Sequence, residues 1–223
     1  MNSTDVKRKN KNTLLAIILL AAVVVVFGVY FGIMGHKSGP VDVSELKIDG
    51  TILKEPGMSP TFNLTDNNGQ AVNEEIFKGR WNLVFFGFTN CGYVCPTSLA
   101  ALKQMYEQLD KQLPAEKMPQ VIMVSVDPAR DSYQRMGDYV HSFNSHFIGL
   151  RGDDGATDAI KKQMNIVAVK MAAKNGDPNS YSINHTAETF VIDPEGRLRA
   201  YLSFPHTGPE LSKDYLTIVN NLS

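Results

Sequence analysis

The chain contains two cysteines, Cys91 and Cys95, both in the stretch NCGYVCPTSL. With only three residues between them, both sulfurs can reach one disulfide or one metal ion, so the two thiols act together. A disulfide closing so short a loop would remove little entropy from the unfolded chain and add little stability. Redox exchange and metal ligation are the stronger readings, and spacing alone does not separate them. Pro96 fits the first turn of a helix, where its missing N–H is not needed, and this places Cys95 at the N-cap. The positive end of the helix dipole then favours a Cys95 thiolate, the form that binds metals and attacks disulfides. Gly92 eases the fold-back that brings Cys91 alongside.

Five histidines offer a third donor. His36 lies in a stretch without periodicity, and His206 in the loop SFPHTGPE. His141 and His146 flank Phe143 at the end of an amphipathic helix, where solvation or a favourable dipole accounts for them. His185 differs because it precedes an apolar strand in SINHTAETFVID. From a strand end a side chain can be aimed at a site built by another loop.

These residues need elements to position them. Trp81–Thr89, WNLVFFGFT, is the nearly continuous apolar run of a strand buried on both faces, and QVIMVSVD, ending at Asp127, matches it. Between them Leu99, Leu102, Met105, Tyr106 and Leu109 recur at helical spacing within Pro96–Leu113, which predicts a βαβ unit with parallel strands. Residues 131–143 and 156–164 predict further helices, and FIGL and IVAVKMA predict strands. TFVIDPEGRLRAYLSF predicts a hairpin turning at Asp193–Gly196, and TFNLTDNNGQAV two short strands around Asp66–Gly69. A last helix is expected over 209–222, with Pro209 in its first turn. The resulting class is α/β, a mixed central sheet flanked by helices.

Ahead of this domain, Leu14–Ile33 is uncharged and long enough to cross a ~30 Å hydrocarbon core as a helix. Lys7, Arg8, Lys9 and Lys11 precede it while only His36 and Lys37 follow closely, which orients the N-terminus to the cytoplasm. The run exceeds the apolar core of a secretory signal, and FGIMGHKSG offers no A-x-A-like cleavage site, so an uncleaved anchor is expected. No cysteine before Cys91 is available for lipid attachment. No Arg-rich amphipathic transit peptide is present, which favours a bacterial inner membrane. The expected organisation is a cytoplasmic tail (1–13), a single transmembrane helix (14–34), a Gly- and Pro-rich tether (35–60) and a periplasmic domain (61–223).

Composition bounds the function. With 43% hydrophobic and 20% charged residues the chain is ordinary globular protein. A domain this size buries roughly 70% of its unfolded surface and needs no metal merely to fold. Of 22 basic and 23 acidic side chains, four and one fall within residues 1–36, leaving 18 and 22 for the rest. No basic cluster there matches a run of phosphates, so nucleic acid is not an expected partner.

Several stretches taken together, FNLTDNNG, KGRWNLVFFGFTNCGYVCPTSL, VSVDPARDS, GLRG and YSINHTAETFVIDPEGRLRAY, resemble the Sco/SenC family of copper-binding assembly factors in order and spacing. The resemblance covers nearly all of residues 60–220. It implies a thioredoxin-like fold behind an N-terminal membrane anchor, with copper held by Cys91, Cys95 and His185. It further implies assistance in metallating the dinuclear copper site of cytochrome c oxidase subunit II, a copper donor upstream, and for some members thiol-disulfide reduction. Asp127, from VDPARD, is expected to support the site from behind the ligands. Gly92 and Asn184 stand where the family usually has Pro and Asp. Two thiolates and an imidazole are a soft set suited to Cu(I), whereas structural zinc almost always takes a fourth protein ligand. Cu(II) would add a water or a carboxylate, with Asp127 one candidate. A thioredoxin-type oxidoreductase would more usually show Cys-x-x-Cys. A peroxiredoxin-type peroxidase would carry Thr or Ser at the position of Gly92, where a hydroxyl helps polarise peroxide.

Overall fold

The two continuous apolar runs become adjacent parallel strands because no polar face is left to present to water. The computed structural model describes residues 20–28, 42–172 and 180–222. From Asp42 onward they form β1 (Gly50–Ile52), β2 (Asn63–Asp66), β3 (Ala71–Asn73), β4 (Asn82–Gly87), α1 (Val94–Leu109), β5 (Gln120–Ser125), α2 (Tyr133–His141) and β6 (Ile148–Arg151). There follow α3 (Asp154–Gln163), β7 (Ala168–Met171), β8 (Ser182–His185), β9 (Thr189–Ile192), β10 (Leu198–Leu202) and α4 (Gly208–Leu222).

The main sheet has the order β1-β10-β9-β4-β5-β6-β2-β3, with β4, β5 and β6 parallel and the other pairings antiparallel. All six residues of β4 are buried, as a strand covered on both faces requires. Its period of two splits the core. Leu83 and Phe85 pack with α1, α2 and α4 through Leu99, Leu102, Met105, Met136, Val140, Leu211, Tyr215 and Ile218. Val84 and Phe86 face the other way, toward Ile160 of α3 and toward Met164, Ile166 and Ile183. This layered mixed sheet is thioredoxin-like.

Two features depart from what the pattern predicts. Part of the tether belongs to the sheet: β1 pairs with β10, and the N–H groups of Leu53 and Gly57 donate to the carbonyls of Arg199 and Leu198 at 2.8 and 2.7 Å. His185 does not merely precede a strand; it ends β8, which among the described residues pairs with β7 alone, in a separate two-stranded sheet. Both segments are short and half-exposed, so neither leaves a strong hydrophobic period. Residues 20–28, inside the expected membrane span, are helical with Leu20, Val23, Val24, Val25, Val26 and Phe27 exposed, and the rest of that span lies outside the described residues. Among the described residues no helix is long and apolar enough to cross a membrane.

Helix α4 reaches α1 through Gly208, where a Cβ would stand 2.4 Å from Gln104 Cβ and 3.0 Å from the Met105 nitrogen. Gly208→Ala is expected to cost about 1–3 kcal/mol from overpacking. That exceeds the roughly 0.4–1 kcal/mol regained from a stiffer unfolded chain. A thermal unfolding midpoint at or above that of the unmodified chain would contradict this packing.

Candidate metal centre

The centre lies at the carboxyl ends of β4 and β5, where open α/β sheets commonly place their ligands. After β4 the chain turns so that the Cys91 N–H donates to the Phe88 carbonyl at 3.1 Å. Helix α1 then starts at Val94, with Tyr93 at its N-cap. This corrects the expectation for Cys95: it lies inside the first turn, fully buried at 0% exposure, and its backbone N–H donates to the Cys91 sulfur at 3.4 Å. Pro96 is in the first turn as predicted, but the helix end serves Cys91.

The two thiols are free, and a hydrogen bond links their sulfurs. The Cys95 thiol donates to the Cys91 sulfur and holds Cys91 down to about 3, helped by backbone N–H groups against the opposing effect of burial. The same hydrogen bond pushes Cys95 far above the ordinary thiol range, and burial adds to it. Cys91 is therefore a half-exposed thiolate and Cys95 a buried thiol, the reverse of the order a helix N-cap at Cys95 predicts.

His185 comes from the end of β8. Its Nδ1 lies 2.8 Å from the Thr186 carbonyl, which assigns the Nδ1 proton and turns Nε2 to the sulfurs, 3.6 Å from Cys95 Sγ. The Phe88 ring meets the imidazole edge-on, with centroids 5.7 Å apart. Cys91 Sγ, Cys95 Sγ and the His185 nitrogen all lie within 4.8 Å of one another. Bonds of roughly 2.0–2.3 Å to a common ion would put such donors about 3.5–4 Å apart, so small side-chain movements suffice to close the set. His141, His146 and His206 are outside this cluster. His146 stacks on Tyr106, and the Nδ1 of buried His206 lies 2.6 Å from the Ser203 carbonyl.

Asp127 is fully buried, and its carboxylate accepts from Arg130 Nε and from the Tyr181 hydroxyl. A second carboxylate, not singled out from the sequence, is Asp131. It accepts from Thr89 Oγ1 and Ser125 Oγ, each at 2.6 Å, and burial pushes its carboxyl up. Its negative charge helps hold the proton on Cys95. The VDPARDS stretch contains both aspartates, yet nothing in their spacing tells which faces the thiols.

A thioredoxin-like domain with two thiols and an imidazole converging at the ends of its parallel strands defines a class, and the comparisons place the chain within it. The SCO1/SenC family model matches residues 51–220. The SCO2-like protein of Rickettsia felis is 32% identical over 136 residues, which are 61% of this chain and 64% of that one, just under two thirds of the relative's length. The structure of Bradyrhizobium japonicum ScoI with copper bound is similar at TM-score 0.63 and 34% identity, covering 71% of this chain and 98% of that one. The solution structure of apo Sco1 from Thermus thermophilus gives TM-score 0.65 and 32% identity over 81% and 99%. The chain belongs to the SCO1/SenC family.

The split between the thiols is directly measurable. Because Cys91 is depressed to about 3, its thiolate is present above that pH and lost as pH falls through it. In the metal-free, reduced chain, alkylation is expected at Cys91 alone, with a rate level from pH 8 down to about 4 rather than falling tenfold per unit below the usual thiol value near 8.5. Peptide mapping after a short iodoacetamide pulse decides it, and preferential labelling of Cys95 would reverse the assignment.

Proposed function

We propose that this chain is a membrane-anchored copper metallochaperone that carries one copper ion on Cys91, Cys95 and His185. The observation that carries the reading is the convergence of one thiolate, one thiol and one imidazole nitrogen within 4.8 Å. Soft sulfur donors with a single nitrogen suit Cu(I), and a water can complete the set for Cu(II). Loading releases the Cys95 proton, so uptake is favoured as pH rises. The copper-bound relative from Bradyrhizobium japonicum supports the choice of metal. The ion is cargo: it is received from a copper donor and passed to another copper protein, with the dinuclear site of cytochrome c oxidase subunit II as the proposed client. Leu14–Ile33 anchors the domain on the periplasmic side of a bacterial inner membrane.

A second reading rests on the unequal thiols. Half-exposed Cys91 is the attacking thiolate and buried Cys95 the resolving thiol of a disulfide reductase. Cys91 sulfur displaces one sulfur of a partner disulfide, and Cys95 then displaces the other, its proton going to a leaving thiolate. The partner gains two electrons and the chain keeps a Cys91–Cys95 disulfide. This step requires no imidazole.

Anaerobic titration of the reduced full chain is expected to give one copper per chain. Cys91→Ser, Cys95→Ser and His185→Ala should each weaken it by more than the ~10–100-fold typical of losing a supporting partner, while His141→Ala and His146→Ala should not. A His185→Ala chain that fails to hold copper yet reduces a partner disulfide at the normal rate favours the second reading. For the anchor, protease added to intact spheroplasts should reach the domain and spare residues 1–13. Recovery of the whole chain in the soluble fraction would refute it.

A further inference from the structure

Cys91 and Cys95 lie in the loop and helix that follow β4 of the main sheet, whereas His185 ends a strand of the separate two-stranded sheet. Its arm, β7–β8, rests on the domain through Ile183, Ala168 and Tyr181 and leaves Val167, Val169 and Met171 exposed. Such an arm holds its imidazole in place only as well as it is itself fastened.

The fastening is at Tyr181, the residue immediately before β8. Its hydroxyl donates to Asp127 Oδ1 at 2.6 Å, and its carbonyl accepts from Arg130 Nη1 at 2.9 Å. Its ring lies 3.6 Å from the Arg130 guanidinium carbon. Arg130 Nε donates to Asp127 Oδ2, so the three side chains close on themselves. Asp127 is an anchor because it is fully buried just past β5 and its own N–H donates to Ser125 Oγ at 3.0 Å. A buried charge with its donors in place is costly to disturb. Arg130 also lies 5.7 Å from the centre of Phe88, the ring that meets His185 edge-on. The cluster thus touches the arm at its root and, through Phe88, near its tip.

We infer that Asp127, Arg130 and Tyr181 form a latch that positions His185 and decides whether an ion on the two cysteines gains its nitrogen ligand. The inference rests on the copper reading above. Both oxygens of Asp127 already accept hydrogen bonds within the latch, so the carboxylate acts through the arm. With the latch open, two thiolates still hold Cu(I), which accepts low coordination. Cu(II), which needs the nitrogen, is lost first.

The test uses the full chain in mild detergent, with two conservative variants. Tyr181→Phe removes the hydroxyl and keeps the ring; Arg130→Lys keeps the charge and loses the planar fork. Hydrogen exchange of the metal-free chain is expected to quicken about tenfold or more in residues 168–171 and 182–185 with β4 and β5 unchanged. Cu(II) affinity should fall about 10–100-fold with a weakened nitrogen hyperfine signal, while one Cu(I) per chain is retained. Wild-type exchange and wild-type nitrogen coupling in both variants overturn the latch. So does exchange that quickens equally in β4 and β5, which is general destabilisation. If the unmodified chain binds no copper, the copper reading fails instead, and exchange in the arm still decides whether the latch holds it.

Discussion

Cys95 Sγ occupies the space that a side chain on Gly87 would need. A Cβ at Gly87 would lie 2.6 Å from that sulfur and 3.0 Å from Met123 Cε. The missing side chain lets the first turn of α1 press against the end of β4 and bury Cys95. With Cys95 seated there, its backbone N–H is left pointing at Cys91, and the proton of the sulfur–sulfur hydrogen bond stays on the buried sulfur because charge is penalised more in the interior than at the rim. The half-exposed Cys91 thiolate follows from that contact.

The sequence made the central strands legible because burial on both faces leaves an unbroken apolar run, and α1 because its core residues recur at helical spacing. Those two elements fix the thiols, so the cysteine half of the centre could be placed from residues alone. His185 was legible only as a donor near a strand end and through the family resemblance. Its actual support, β8 paired to β7, has the burial pattern of exposed, buried, exposed and half-buried residues over four positions, too short to assert a period. The N-cap at Cys95 failed for a different reason. Pro96 is compatible with any position in the first turn, and a helix start two residues earlier shifts which thiol the helix end serves.

The acidic residues beside the centre divide their work by depth and partner. Asp131 has neutral hydroxyl donors and sits where its charge bears on Cys95, while Asp127 has a guanidinium and a phenol and bears on the histidine arm. Ser125 links them, donating to Asp131 and accepting from the Asp127 N–H. One short segment after β5 thereby reaches both halves of the ligand set.

Gly92 and Asn184 can now be weighed against the Pro and Asp usual at these positions. A Cβ at Gly92 meets nothing within 4 Å, and its φ lies outside the left-handed region, so the backbone does not require glycine there. The loop is closed instead by the Cys91 N–H to Phe88 and the Cys95 N–H to Cys91. Glycine's cost is then the freedom it allows before an ion binds, about 0.4–1 kcal/mol relative to a compatible proline, or roughly a factor of two to five in affinity. Asn184 is exposed on β8 opposite Val169, so an aspartate there would face solvent, where the high dielectric weakens its pull on the site. Both departures are small beside the loss of any one ligand, and the metal loop tolerates them because the buried sulfur, not the loop, sets the position of the centre.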